Sequence, residues 1–239
     1  MSNLERDRLL ERYRLGEEDL YDKVVELFDQ ALEENPGDPE LYHSRGFIDE
    51  IRGRRSLEKA ASFYEKGAEI ARTNPQHADH VKCDGQLLGI RRALGQLNKS
   101  IEYYKQRIAE NPEDLNAYGL LTHAYYLADQ IPEAQKVIEA AYKIDSEYPL
   151  ITYWMGLINS RLGKLEEALD LMSKTVSLDP AFIDARYSRA NLYERLKKFE
   201  EAAEEWQLII DYHREHFPEV SMEWEEEQLA RVKSQIEEF

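Results

Sequence analysis

The chain has 239 residues, 42% hydrophobic and 33% charged, with a formal net charge of −17. That balance supplies a core and much wet surface, and the charge argues against a nucleic-acid backbone or an anionic membrane surface as the main partner, since both repel an acidic protein. Cys83 stands alone, so there is no internal disulfide; the charged start MSNLERDRLLERYRLG has no apolar stretch of signal-peptide length, no window approaches a membrane span, and a cytoplasmic protein is expected.

Residues 3–36 read as a first helical pair, with Phe28, Ala31 and Pro36 towards its end. A second, over 39–75, runs through the turn IRGRRSLEKA to Ala60. From Ala60 to Ser100 is 40 residues, six more than the spacing that follows. The segment EIARTNPQHADHVKCDG must therefore absorb an insertion, as a longer second helix after Ala60 or a wider loop near Asn74 and Pro75. From Ser100 onward a small residue recurs every 34 positions, at Ala134, Ala168 and Ala202. Three residues before each stand Leu97, Ile131, Leu165 and Phe199, and four after each Tyr104, Ile138, Met172 and Trp206. These copies span 81–112, 115–148, 149–182 and 183–216. Beyond Pro218, residues 219–238 read as one helix with Leu229, Val232 and Ile236 on a face and an acidic opposite side, as a capping element requires.

Within the copy 149–182, Met155, Ile158 and Leu162 form one amphipathic stripe, and Gly163 ends that helix. Leu165, Leu169, Met172 and Val176 form a second stripe, closed by Pro180. Each copy is thus a helix, a tight turn and a helix. Antiparallel helices approach closely only where a side chain is short, which explains Ala168; one such hairpin cannot bury its own apolar face, so copies must stack.

With Gly156, Gly163, Leu165, Ala168 and Pro180 in place, the chain resembles the tetratricopeptide-repeat family. Trp154 lies two residues from the place of the family's signature aromatic, so that element is expected to be shifted or lost. The resemblance implies an all-α fold: a single domain over 1–239, a right-handed α-solenoid of about six helix-turn-helix repeats plus the C-terminal capping helix.

In that family the first helix of each pair lines a concave groove. Its groove positions fall here on Asn116, His123, Tyr126 and Leu127, then Tyr153, Leu157, Ser160 and Arg161, then Asp184, Tyr187, Asn191, Glu194 and Arg195. In the earlier copies they fall on His43, Phe47, Glu50, Lys82 and Arg92. Tyrosines give contact area at low entropy cost, asparagine can hold an extended backbone, and Arg161 or Arg195 can receive a carboxylate bidentately. Leu157, being aliphatic, is the groove residue expected to pack between layers instead. The family's carboxylate clamp for acidic chaperone tails is incomplete, since Tyr187 stands where a lysine would accompany Asn191.

No phosphate loop, nucleophile elbow or dinucleotide fingerprint appears. A non-enzymatic scaffold is therefore expected, binding an extended or helical segment of another protein without cofactor or metal. One alternative is an acidic escort or mimic that binds a basic protein through its convex surface. A weaker one is a metal site at His77, His80 and Cys83, which lack a fourth ligand nearby; His213 and His216 share that defect. Self-association through an exposed end repeat is also open.

Overall fold

The computed structural model describes residues 3–14, 17–53, 57–73, 80–219 and 221–237. Among them are thirteen α-helices and no strand. The helices are α1 (Asn3–Arg14), α2 (Tyr21–Glu34), α3 (Pro39–Ile51), α4 (Leu57–Thr73), α5 (His80–Ala93), α6 (Leu97–Glu110), α7 (Leu115–Leu127), α8 (Ile131–Ile144), α9 (Pro149–Arg161), α10 (Leu165–Leu178), α11 (Ile183–Arg195), α12 (Phe199–His216) and α13 (Glu223–Glu237). The chain divides into two compact units, 1–104 and 105–239, with the division inside α6.

The helix starts and stops are written locally. Asp38 caps α3 by accepting from the Glu40 amide at 2.9 Å, with Pro39 in the first turn, where no amide donor is needed. Asp114 caps α7 in the same way, from the Ala117 amide at 3.0 Å. At the other end, the residues at 95, 129, 163 and 197 all take positive φ, and their spacing is the repeat spacing. In each case the next amide reaches back five residues: Gln96 to the Arg91 carbonyl, Gln130 to Tyr125, Lys164 to Asn159 and Lys198 to Tyr193, at 2.7–2.9 Å. These are Schellman closures of successive first helices. Two use glycine, Gly95 and Gly163, whereas Asp129 and Lys197 hold φ of 57° and 58° without it.

In the first unit Leu9, Tyr13, Val24, Phe28, Leu32, Leu41, Tyr42 and Ile48 form one core. Leu57, Ala60, Tyr64, Leu87 and Ile90 form the next. Arg45 is fully buried beside them, donating to Asp49 at 2.8 Å and to Asp29 at 2.6 Å, with its guanidinium 4.9 Å from the Phe63 ring centre. In the second unit Ala134, Ala168 and Ala202 have no exposed surface at all. A Cβ added at Gly156 would stand 2.8 Å from Met172 Cε and 3.4 Å from the Ala168 carbonyl oxygen. The close approach of α9 and α10 thus needs a small residue from each helix.

Part of the extra length after Ala60 enters α4, which has 17 residues where α6, α8 and α10 have 14. Residues 74–79, including His77, lie outside the described residues. Cys83 is buried, its Sγ 3.8 Å from the Pro39 carbonyl oxygen and close against Gly67.

Candidate functional site

On α7 and α9 the expected groove residues His123, Tyr126 and Tyr153 gather around one buried ring. Trp154, with 7% of its surface exposed, is their centre. Its ring lies 4.6 Å from His123, 5.8 Å from Tyr126 and 5.6 Å from Tyr153, centre to centre. Tyr153 in turn lies 4.9 Å from Phe182. The aromatic at 154, two residues from the signature place, packs α9 against α7. Burial in this cluster pushes the His123 imidazole down to about 4, and it pushes the Tyr153 hydroxyl up.

A polar ladder runs along the C-terminal ends of α7, α9 and α11. Arg161 reaches back to Asp129 at 2.6 Å, and its guanidinium stands 5.5 Å from the Tyr126 ring centre. Arg195 reaches back in the same sense, donating to the Ser160 hydroxyl and, at 3.3 Å, to the Ser160 carbonyl oxygen. Each arginine therefore spans to the preceding pair, and both remain exposed. At the other end of this face Asn116 accepts from the Tyr148 hydroxyl at 2.8 Å. Asn191 is exposed and donates to the Tyr187 carbonyl oxygen of its own helix.

Other expected groove residues are occupied by packing. Leu157 joins the core of Ala168, Leu169, Met172 and Leu192. Tyr187 is covered by the C-terminal helix: it donates to Glu225, and its ring lies 6.0 Å from Trp224 and 5.7 Å from Trp206. Arg231 of the same helix pairs with Glu194 at 2.7 Å. The cap thus closes over α11. Burial, with Glu225 adding to it, raises the Tyr187 hydroxyl well above its ordinary range.

In the first unit His43 lies 5.5 Å from the Tyr64 ring. Phe47 packs on the core of Ala60 and Tyr64, and Arg92 is exposed at the end of α5. Glu50 accepts from the Tyr64 hydroxyl at 3.0 Å, and Lys82 pairs with Glu40 at 3.6 Å. Among the described residues no group of three His, Cys, Asp or Glu side chains could hold a metal ion. His213 lies 3.8 Å from Glu225, and His216 stacks on Tyr212 at 4.2 Å.

No family model matches the chain. Among curated proteins it is 27% identical over 150 residues to the TPR repeat-containing protein PA4667 of Pseudomonas aeruginosa, a match over 62% of this chain and 24% of that one. It is 24% identical over 190 residues to DnaJ homolog subfamily C member 7 of Mus musculus, over 72% of this chain and 37% of that protein. The chain therefore spans well under half of either relative. Among solved structures, yeast Tom70 superposes with a TM-score of 0.62 at 16% identity, over 90% of this chain and 43% of that one. TTC0263, a thermophilic TPR protein of Thermus thermophilus, gives 0.50 at 19% identity, over 97% and 98%. The chain folds as a tetratricopeptide-repeat protein.

Two loop residues of this fold escape a motif reading. Asp129 and Phe182 belong to the loops between helices, outside the first-helix positions that the family pattern marks. Asp129 was nonetheless detectable, because it stands 34 residues before Gly163 and 34 after Gly95. Trp154 stands out in the sequence as a displaced aromatic, but its contacts with His123 and Tyr126 of α7 are a matter of packing.

Proposed function

We propose that this protein is a non-enzymatic interaction scaffold that binds a segment of a partner protein on the face of α7, α9 and α11. The proposal takes the chain over 1–239 as one repeat domain. The observation that carries it is the ladder of Tyr126, Arg161, Ser160 and Arg195, in which the exposed Arg161 guanidinium lies beside a half-buried aromatic face and the exposed Arg195 reaches the adjacent Ser160. Their present partners are weak holds. The Arg161–Asp129 pair is 51% and 80% exposed at its two side chains, so an incoming carboxylate displaces it at little cost. A segment bearing an acidic side chain next to an apolar one fits this array, with the buried Trp154 cluster as a rigid backing. No helix among the described residues is long and apolar enough to cross a membrane.

The test is selection of peptides from a displayed random library against the whole protein, followed by titration of the enriched peptides. The expected result is enrichment of acidic and aromatic segments whose binding drops at least ~tenfold in the Tyr126→Ala, Arg161→Ala, Arg195→Ala variant. Equal binding by that variant, at unchanged melting temperature, removes the assignment.

A second reading is favoured by one arrangement. Glu133, Glu167 and Glu201 are exposed at the repeat spacing on α8, α10 and α12, as are Glu166 with Glu200 and Asp170 with Glu204. These rows would suit a basic protein held by charge. That mode predicts affinity that collapses between low and high salt and is indifferent to the triple variant.

A further inference from the structure

A crevice of about 460 Å³ opens in the first unit between α4 and α6, above α5. It owes its shape to the irregular spacing. The second helices α6, α8 and α10 have 14 residues, and Arg72, which lines the crevice, lies in the extra turn that makes α4 17 residues long.

The charges in its walls are unequal. Arg72 donates to Asp84 at 3.1 Å, and Asp84, almost wholly buried, also accepts from the Tyr104 hydroxyl at 2.8 Å. Arg91 donates to Glu65 at 2.7 Å and to Ser100 at 2.8 Å. Both guanidiniums are thus matched by a carboxylate each. Glu69 is the third carboxylate, and it makes no ion pair with a described residue. Tyr103 stands 37% exposed at the edge of the crevice, and the Arg72 guanidinium lies 5.5 Å from its ring centre. An anion entering here would compete with the buried Asp84 for Arg72 and meet two further carboxylates. A cation meets a surplus negative charge and an aromatic face.

We propose that this crevice holds the guanidinium of an arginine side chain in a basic segment of a partner protein, with Glu69 as its carboxylate and Tyr103 as its stacking surface. Arginine fits better than lysine because its planar group pairs with a carboxylate and stacks on a ring at once. None of its lining residues belongs to α7, α9 or α11, and it does not rest on that assignment. A net charge of −17 on the chain supports a basic partner.

The test uses the isotope-labelled full chain titrated with the blocked peptide acetyl-Gly-Arg-Gly-amide, the matched Gln peptide and free L-arginine, followed by amide chemical shifts. With the Arg peptide, resonances of α4, α5 and Tyr103 move, and those of α9 and α11 stay. Glu69→Gln and Tyr103→Ala each weaken the titration by about threefold, and the Gln peptide moves nothing. Free L-arginine binds more weakly, because its α-carboxylate meets Glu65 and Glu69. Equal shifts from the Gln peptide, or an unchanged titration in Glu69→Gln, overturn the site. Equal or tighter binding of free L-arginine overturns the partner segment as its source. The Tyr126→Ala, Arg161→Ala, Arg195→Ala variant leaves this titration unchanged, so failure here and failure of the peptide face are read separately.

Discussion

The imidazole of His123 lies against the indole of Trp154, ring centres 4.6 Å apart and planes tilted by 32°. One group comes from α7 and the other from α9, so the contact belongs to the packing of successive pairs. It also has a pH signature. Burial pushes His123 down to about 4 in the folded chain, whereas an unfolded chain titrates near the ordinary 6.5. Between those values the unfolded state binds the proton and the folded state does not, so stability falls as pH falls. The contribution is whole above about pH 6.5 and is lost towards pH 4, by at most about 3 kcal/mol. Denaturant titrations at pH 7 and pH 4.5 should give a smaller difference for His123→Gln than for the parent.

Ala168 has no exposed surface and its carbonyl oxygen lies beneath Gly156. Ala168→Leu forces extra methylenes into that contact, which costs about 1–3 kcal/mol. Thermal melting should move down by several degrees while the helical signal of the folded baseline is retained.

Lys197 holds φ of 58° at a turn where Gly163 holds 81°. A left-handed backbone costs a side-chain-bearing residue about 1–2 kcal/mol, offset in part by the greater freedom of glycine when unfolded. Lys197→Gly should therefore raise stability by roughly 0.5–1 kcal/mol, and Gly163→Ala should lower it by a similar amount. Chemical denaturation of the two variants tests both directions.

Asp49 is almost wholly buried and takes the guanidinium of the fully buried Arg45 at 2.8 Å, with the Tyr21 hydroxyl donating to it at 2.9 Å. Removing that charge leaves Arg45 without its buried counter-ion. Asp49→Asn should cost about 3–5 kcal/mol. Proteolysis or hydrogen exchange should then show opening concentrated in residues 17–53 and 57–73.

Arg161 and Asp129 form an ion pair in which both side chains are more than half exposed. Arg161→Ala should change stability by less than about 0.5 kcal/mol, because surface pairs contribute little. A melting temperature within a degree or so of the parent makes this variant a clean probe of binding.

The local units and their order are legible along the chain. A small residue every 34 positions from Ser100 to Ala202, apolar stripes on either side and turn residues at 95 and 163 are properties of neighbouring residues, so they can be read along the chain. Helix hairpins are short-range objects, and their stacking follows from the apolar faces that they leave unburied. The candidate site was legible to the same depth: the pattern marked first-helix positions, and of these Arg161 lies over the Tyr126 ring and Arg195 reaches Ser160. What the pattern could not show was which of them is already engaged. Tyr187 is covered because α13 folds back with Trp224 and Glu225, a contact over 38 residues of sequence. Trp154 became the centre of the aromatic cluster because α7 packs His123 and Tyr126 against it. The crevice beside Arg72 is lined by the last turn of α4, which runs three residues longer than α6, α8 and α10. Engagement of this kind depends on which side chains meet across elements. That is decided by packing in three dimensions, where burial, pairing and close approach are shared among residues distant in the chain.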